Sequence, residues 1–576
     1  MTTNPRVFLW LGLVLLAWLN FETWTRDYAP APKTQAEAAQ EAAERSAVLE
    51  GNVPQAAVPA AAPAPVAAAP GAAPAVGTDA VPGADVVPQA GAPAAEAPAA
   101  APAAIVHVET DVLDVDIGLV GGELRRADLL AYPLVKGQST PVRLFNRDGA
   151  QGFYVMQTGL AGAGGAASPT HLETFTAAAG EFRLAPGQNE LRVPLTWTDG
   201  HGVTVTKTFV FGRGRYNVAL EYSVRNDSDA PWSAASYAQI LRDNVPVKRS
   251  MFSPDSYAFK GPAYYDGTKY QKLKLDDKDD QQLSLDVTGG WIAGMQHHFV
   301  TAVVPPLADT DRVTLRADGR QYLLSTIGPT RTVAPRSTGE FRDELFMGPK
   351  LQAQLETTGP ELERVADYGM LTPLAKPLFI LLKWLHKLVG NWGWAIVLAT
   401  CVLKILFYPL SEKAGKSMAK MKTLAPRIKN LQELYKDDRE KLGRAMMKMY
   451  QDEKINPVAG CLPILIQMPV FLAFYWVLLE SVEMRQAPFM LWINDLSTRD
   501  PFFVLPAIMA AAMFGQYKLN PAPPDPVQAK VFMIMPFAMS VMFAFFPAGL
   551  VLYWVTNTLL SIAQQWNINR RIARAG

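Results

Sequence analysis

Cysteine is almost absent from this 576-residue chain: Cys401 and Cys461 are the whole complement, and both fall in strongly apolar segments. A disulfide framework is therefore not expected, even for a part exposed to an oxidising compartment, and two buried thiols are the plain reading. Net charge is missing as well. With 54 Lys and Arg against 53 Asp and Glu the formal sum is +1, which argues neither for nucleic-acid recognition nor for a general affinity for anionic surfaces. Catalytic signatures are also lacking: there is no phosphate-binding loop, nucleophile elbow, paired-His zinc motif or nucleophile–base combination. The run GAGGAA from Gly162 to Ala167 imitates a dinucleotide fingerprint, but Ser168-Pro169 cannot begin the long helix that motif requires, so a loop is expected. His297 and His298 are adjacent, and in a strand they would face opposite ways and could not jointly chelate one metal without other ligands, so ordinary strand histidines are expected. No catalytic residue, cofactor or metal is expected.

What the chain has is an uneven distribution of apolar residues. Val7 to Phe21 is almost wholly apolar, follows Arg6, and precedes Glu22, Trp24 and Tyr28. A cleaved signal peptide competes with an uncleaved span here, because Ala29-Pro30-Ala31 has cleavage-site spacing; Pro32 and the aromatic flank favour the anchor. Further apolar segments lie near 393 to 410, 458 to 479, 502 to 517, 531 to 546 and 549 to 563, each close to the roughly 20 residues a bilayer-crossing helix needs. Six spans follow. The loop after the second holds about a dozen Lys/Arg against roughly seven Asp/Glu, and the tail carries Arg570, Arg571 and Arg574. Both are expected to be cytoplasmic, which puts the N-terminus inside and the long interval after the first span outside. Lys376, Lys383 and Lys387 sit against that bias, beside Leu378, Leu381, Leu382 and Leu385 at helical spacing. An amphipathic helix in the outer interface accommodates both facts.

The predicted organisation is a mixed fold: an anchor over 1–28, a disordered Ala/Pro tether over 29–104, a large antiparallel β-sandwich over 105–359, and a connector with the interfacial helix over 360–390. A span over 391–410, a cytoplasmic helical hairpin over 411–456, spans three to six over 457–568 and a basic tail over 569–576 complete it. The tether composition cannot bury enough surface to offset chain entropy. The β assignment rests on alternating runs such as NELRVPLTW, GVTVTKTFVFG and YNVALEYSVRN between Gly, Asn, Asp and Pro. In the hairpin, Leu424, Ile428, Leu431 and Leu434 form one stripe and Leu442, Met446, Met449 and Tyr450 a second, with Asp437 expected to cap the second helix.

Within the apolar segments, Lys404 in AIVLATCVLKILFYPL attracts most interest, since a charged Lys at a helix centre costs about 2.5 to 3.5 kcal/mol on insertion scales. It either faces a wet cavity or snorkels to the nearby cytoplasmic end. Gln467, Ser540, Thr556, Asn557 and Ser561 add polarity in other spans, consistent with interhelical hydrogen bonds or a hydrated groove.

The series Tyr408-Pro409-Leu410, SMAKM at 417–421, NPVAGCLPILIQMPVF at 456–471, RQAPF at 485–489 and FPAGLVLYWVTN at 546–557 resembles the YidC membrane protein insertases, and GGWIAGMQHHF at 289–299 resembles their periplasmic domain. That resemblance implies a polytopic inner-membrane protein with a five-helix insertase core, a cytoplasmic hairpin and a periplasmic β-supersandwich. It implies energy-independent insertion and folding of nascent inner-membrane proteins, alone or with the Sec translocon and its accessory proteins. Ribosomes or targeting factors would meet the hairpin, and membrane lipids the core. It also implies a positively charged hydrophilic groove, here with Lys404, Gln467 and Asn557, and client contacts near Met468, Pro469, Phe471, Tyr553 and Trp554. Lys404 stands where Arg is usual, which keeps the charge but loses the planar fork; Trp554 stands where a second Tyr is common. Two other classes stay open on the residues alone. A secondary transporter would use Lys404 as a coupling site, though no inverted repeat of broken helices is evident. A tethered carbohydrate-binding protein would use the sandwich, leaving five spans unexplained.

Overall fold

The computed structural model describes residues 49–57, 105–147, 152–244, 258–413, 415, 424–435, 438–453, 462–519 and 526–575. The expected first span, Val7 to Phe21, and most of the Ala/Pro stretch lie outside these residues.

Among the described residues the alternating runs form two sheets, of eleven and nine strands, packed as a β-sandwich. In the larger sheet Trp232–Asp243 pairs with Tyr154–Gly162 on one side and Gln321–Ile327 on the other. In the smaller one Asn217–Asn226 lies between Val203–Gly212 and Ser337–Pro349. Pairing is antiparallel throughout the described strands except where Ile105–Glu109 meets Glu181–Arg183. Residues of period two reach the core, as Val203, Val205, Phe209 and Phe211 do. Gly162 to Ala167 forms the expected loop, with a single 3-10 turn at Ala163–Gly165.

Lys207 occupies an inward position of that same strand. Its ammonium is fully buried and donates to the carbonyl oxygens of Gly121 at 2.8 Å, Gly122 at 3.1 Å and Thr158 at 2.9 Å. The rings of Phe175, Phe209 and Tyr222 surround it at 5.3 to 5.9 Å. Asp343, also inward, accepts from the Ser236 hydroxyl of the opposite sheet, and Arg242 Nη1 donates across the core to the Met295 carbonyl at 2.8 Å. These buried polar links hold the two sheets in one register, because any slip leaves a desolvated group without its partner.

Among the described residues ten α-helices follow or interrupt the sandwich, of which eight matter here. Helix α1, Thr372–Val389, buries Leu378, Phe379, Leu382 and Leu385 and leaves Ile380, Trp384 and Leu388 exposed at four-residue spacing. It ends at Gly390, whose φ of 65° suits glycine. Helix α2, Trp392–Leu406, begins at the Asn391 cap. The hairpin is α3, Ala425–Leu434, and α4, Arg439–Asp452, joined through Leu424 and Ile428 against Met446, Met449 and Tyr450. Its cap is Asp438, which accepts from the Lys441 amide at 3.0 Å, one residue beyond the expected Asp437; Leu434 is 70% exposed and stays outside the stripe. Helices α5, Leu462–Glu480, α6, Val504–Leu519, α7, Pro526–Phe543, and α8, Ala548–Ala575, complete the second core with α1 and α2. The five later segments expected to span thus fall on α2 and α5 to α8. Among the described residues no helix is long and apolar enough to cross a membrane; α2, for example, has 15 residues, about 22 Å at the helical rise against a hydrocarbon core of about 30 Å.

Sandwich and helices share a buried seam at the end of α5. Lys350 Nζ lies 3.5 Å from Glu480, with side-chain exposures of 1% and 5%. Val482 belongs to the sandwich core, Arg485 donates to the Pro133 carbonyl at 2.8 Å, and Lys136 donates to the Gln486 carbonyl at 2.7 Å. His297 and His298 sit here too. They lie in the bend before Phe299–Val304 and not in a strand, so their rings stack 3.8 Å apart instead of facing opposite ways. His297 Nε2 donates to the Leu479 carbonyl at 2.9 Å, and burial with Lys350 nearby pushes its pKa down to about 3, keeping it neutral.

Two outcomes follow from these buried charges. Lys350→Met leaves Glu480 desolvated and unpaired, and is expected to cost about 3 to 5 kcal/mol, whereas Lys350→Met with Glu480→Leu restores most of the loss. Denaturant unfolding of the purified full chain measures both; a double variant as unstable as the single one would show that the pair is not the cause. Burial pushes Asp343 up to about 7 and Asp311 up to about 6. Folding therefore favours their protonated forms, and the stability this supplies is complete below the ordinary aspartate range and lost as pH rises to about 7. The stability difference between Asp343→Asn and wild type is expected to shift in favour of the variant between about pH 4 and pH 7. A pH-independent difference would show that Asp343 is ionised throughout.

Candidate functional site

Helix α8 presents Tyr553, Asn557 and Ser561 at four-residue intervals, so they form one stripe along it. Two other helices bring polar side chains to that stripe. From α5, Gln467 Nε2 donates to the Tyr553 hydroxyl at 2.9 Å and to Asn557 Oδ1 at 3.2 Å. From α2, Lys404 Nζ donates to Ser561 Oγ at 2.8 Å, and Ser561 in turn donates to the Asn557 carbonyl at 2.8 Å. Lys404, Gln467 and Asn557, singled out in the sequence, are thus linked, with Ser561 as the bridge. All four are half-buried. No carboxylate is paired with Lys404 among the described residues, so its charge is held by a hydroxyl dipole and the surrounding medium.

The aromatic residues next to the stripe are arranged in layers. Tyr553 is 1% exposed and stacks on Phe474 at 4.5 Å and Phe471 at 6.1 Å, while Trp554 meets Phe471 edge-on at 4.7 Å. Met468 and Pro469 point outward from α5, with Met468 43% exposed. The expected client contacts therefore divide into an exposed pair, Met468 and Pro469, and a packed aromatic group.

The loop 481–503 packs against one end of this assembly. Asn391 Nδ2 donates to the Phe489 carbonyl at 2.9 Å, and a Cβ on Gly393 would lie 2.0 Å from the Phe489 ring, so only glycine lets α2 approach the loop this closely. Asp500, 1% exposed, accepts from Trp492 Nε1 at 3.0 Å and from the Leu505 amide at 2.7 Å, and the Ala548 and Gly549 amides that open α8 donate to the Thr498 and Leu496 carbonyls. Sequence reasoning gave this loop only a side of the membrane. Its capping role was hidden because each bond joins residues far apart in sequence or depends on loop conformation.

A different cluster gathers metal-type ligands: His107, Asp114 and Asp116 converge on the sandwich surface. The Arg126 guanidinium fills the position between the carboxylates, 2.8 Å from Asp114 and 2.6 Å from Asp116. Partial burial raises the Asp116 pKa, but the bonds from Arg126 and His107 outweigh it and hold the group below its usual range. This is an ion-pair network.

Comparison with known proteins covers the whole arrangement. The sequence model of the family described as 60Kd inner membrane protein matches residues 384–575, and that of the YidC periplasmic domain matches residues 105–381. A membrane protein insertase YidC of Thioalkalivibrio sulfidiphilus is 45% identical over 100% of this chain and 99% of its own length. That of Nitrosococcus oceani is 41% identical over the full length of both. A solved structure of an active YidC insertase is 20% identical, covering 80% of this chain and 93% of its own, with a TM-score of 0.36, too low to add to the argument. Two family matches that together take in the sandwich and the helices, with relatives above 40% identity from end to end, establish that this chain belongs to the YidC family of membrane protein insertases.

Proposed function

We propose that this inner-membrane insertase, which is not an enzyme, lowers the cost of passing a client's polar segment by offering it the polar stripe between α2, α5 and α8. The observation that carries the reading is Lys404. Its ammonium is half-buried within an apolar helix, bonded to Ser561, and without a carboxylate partner among the described residues. A charge beside low-dielectric walls attracts an acidic segment more strongly than it would in bulk water. Gln467, Tyr553 and Asn557 extend hydrogen-bonding capacity along the same path, shortening the hydrocarbon distance a polar group must cross. Met468, Pro469, Phe471 and Trp554 would flank the client, and burial of the client's apolar segment supplies the drive.

In this reading α2 and α5 to α8 form the membrane-embedded core, with a further span at Val7 to Phe21 and both termini in the cytoplasm. The exposed face of α1, with Ile380, Trp384 and Leu388, lies in the outer interface. The loop 481–503 and the sandwich above it close the outer end of the groove, so it opens toward the cytoplasm and lipid. The hairpin of α3 and α4 pairs its apolar stripes internally, leaving its basic faces for ribosomes, targeting factors or nascent chains. Insertion and folding of clients then proceed alone or beside the Sec translocon.

The test uses one short client with a neutral or an acidic translocated tail, at equal insertase abundance. Lys404→Arg is expected to retain insertion of both, whereas Lys404→Ala and Lys404→Glu reduce the acidic tail far more than the neutral one. Equal insertion of both tails by the Lys, Ala and Glu forms would mean that Lys404 snorkels and plays no such part.

A further inference from the structure

The stretch between Ala29 and Ala104 contains one leucine, Leu49, and no isoleucine, methionine, phenylalanine or tryptophan. Residues 49–57, around that leucine, lie on the outer face of the eleven-stranded sheet. Leu49 is buried against Val155, Leu241 and Leu323, one residue from each of three adjacent strands. Val53 and Ala56 pack on Ala161, Ala235, Tyr237 and Ile327 of the same strands. The segment is therefore laid across the sheet and not paired to its edge.

Polar contacts fix both its backbone and its identity. His171 is buried, and its ring is oriented by Tyr237: the His171 amide donates to the Tyr237 hydroxyl at 2.9 Å, which donates to Nδ1 at 2.7 Å. That leaves the proton on Nε2, which donates to the Glu50 carbonyl at 2.7 Å. Gln239 donates to the Asn52 carbonyl at 3.1 Å and Thr330 to the Ala57 carbonyl at 2.7 Å. Side chains add selectivity: Arg147 joins Glu50 to the buried Glu123, and Arg316 donates to Asn52 Oδ1 at 2.6 Å.

We propose that residues 49–57 are a strap by which the chain binds its own β-sandwich, so that the sequence before it and the sequence after it are tethered separately. The occupant of this face is the chain's own segment, held by three main-chain acceptors, two polar side chains and the apolar trio Leu49, Val53 and Ala56. Without the strap, the chain from Phe21 to Ile105 could extend about 300 Å; with it, the stretch from Phe21 to Leu49 reaches at most about 100 Å. The linker between Ala57 and Ile105 keeps the released strap at an effective concentration on the order of millimolar near its site, so individually modest contacts suffice to keep it bound. The strap confines the first apolar segment to the neighbourhood of the sandwich, a constraint the composition of the stretch does not reveal.

The experiment uses the full chain in membranes. A glutamate-specific protease is expected to cut after Glu50 at least tenfold faster in a Leu49→Ser, Val53→Ser variant than in wild type, because a segment held on the sheet with Glu50 in a helical turn cannot enter the protease cleft. Equal rates in the two chains, whether fast or slow, would overturn the proposal. A photo-crosslinking residue at position 53 gives a second reading that does not depend on loss of binding. Adducts are expected within 154–162, 232–243 and 321–327, and adducts absent from all three strands would also overturn it.

Discussion

The seam at the end of α5 places a pair of opposite charges away from water, and the junction of the sandwich with the helices depends on their staying paired. Lys350 and Glu480 are both removed from water, and each is tolerable only because the other is 3.5 Å away. Lys350 belongs to the turn leaving the sandwich and Glu480 to the last position of a helix in the second core, so their pairing fixes one body on the other. Burial pushes Lys350 below the usual lysine range, opposed mainly by the Glu480 charge. Val482 completes the sandwich core from the helical side, and Arg485 lies 5.5 Å over the Phe299 ring. The loop 481–503 is therefore held from both sides.

That constraint connects packing to the site. With the loop 481–503 fixed, its carbonyls receive the amides that open α8, and its Phe489 sets how closely α2 can approach. The positions of Lys404 on α2 and Ser561 on α8 follow from those two placements. The same logic applies inside the sandwich, where Lys207, Asp343 and Arg242 cross between sheets. A buried polar group that finds its partner in only one arrangement contributes little net stability but excludes neighbouring arrangements.

Much of the architecture was legible because it is periodic. Period-two runs such as VTVTKTFVF became strands, and Leu378, Leu382 and Leu385 became the buried side of α1. Of the polar residues in the apolar helices, Gln467 meets Asn557 directly and Lys404 is linked to Asn557 through Ser561, since a polar side chain in an apolar helix has few places to go. Boundaries and loops were less accessible. The α4 cap fell on Asp438, and the two histidines stacked in a bend, because a single residue's shift in a turn leaves the surrounding hydrophobic pattern unchanged.

The sequence by itself determined the order of the elements, the β and helical halves, the amphipathic α1 and the family, all of which depend on local periodicity, composition or motifs. Only the tertiary structure decided that Lys207 turns inward to three carbonyls, that Ser561 bridges Lys404 to Asn557, and that Leu49 pins an otherwise featureless stretch to the sandwich. The physical reason is the same in each case. The contacts made by Lys207, Lys404 and Leu49 join residues separated by tens to hundreds of positions, and whether a polar or apolar group is satisfied depends on a partner whose arrival no local pattern records.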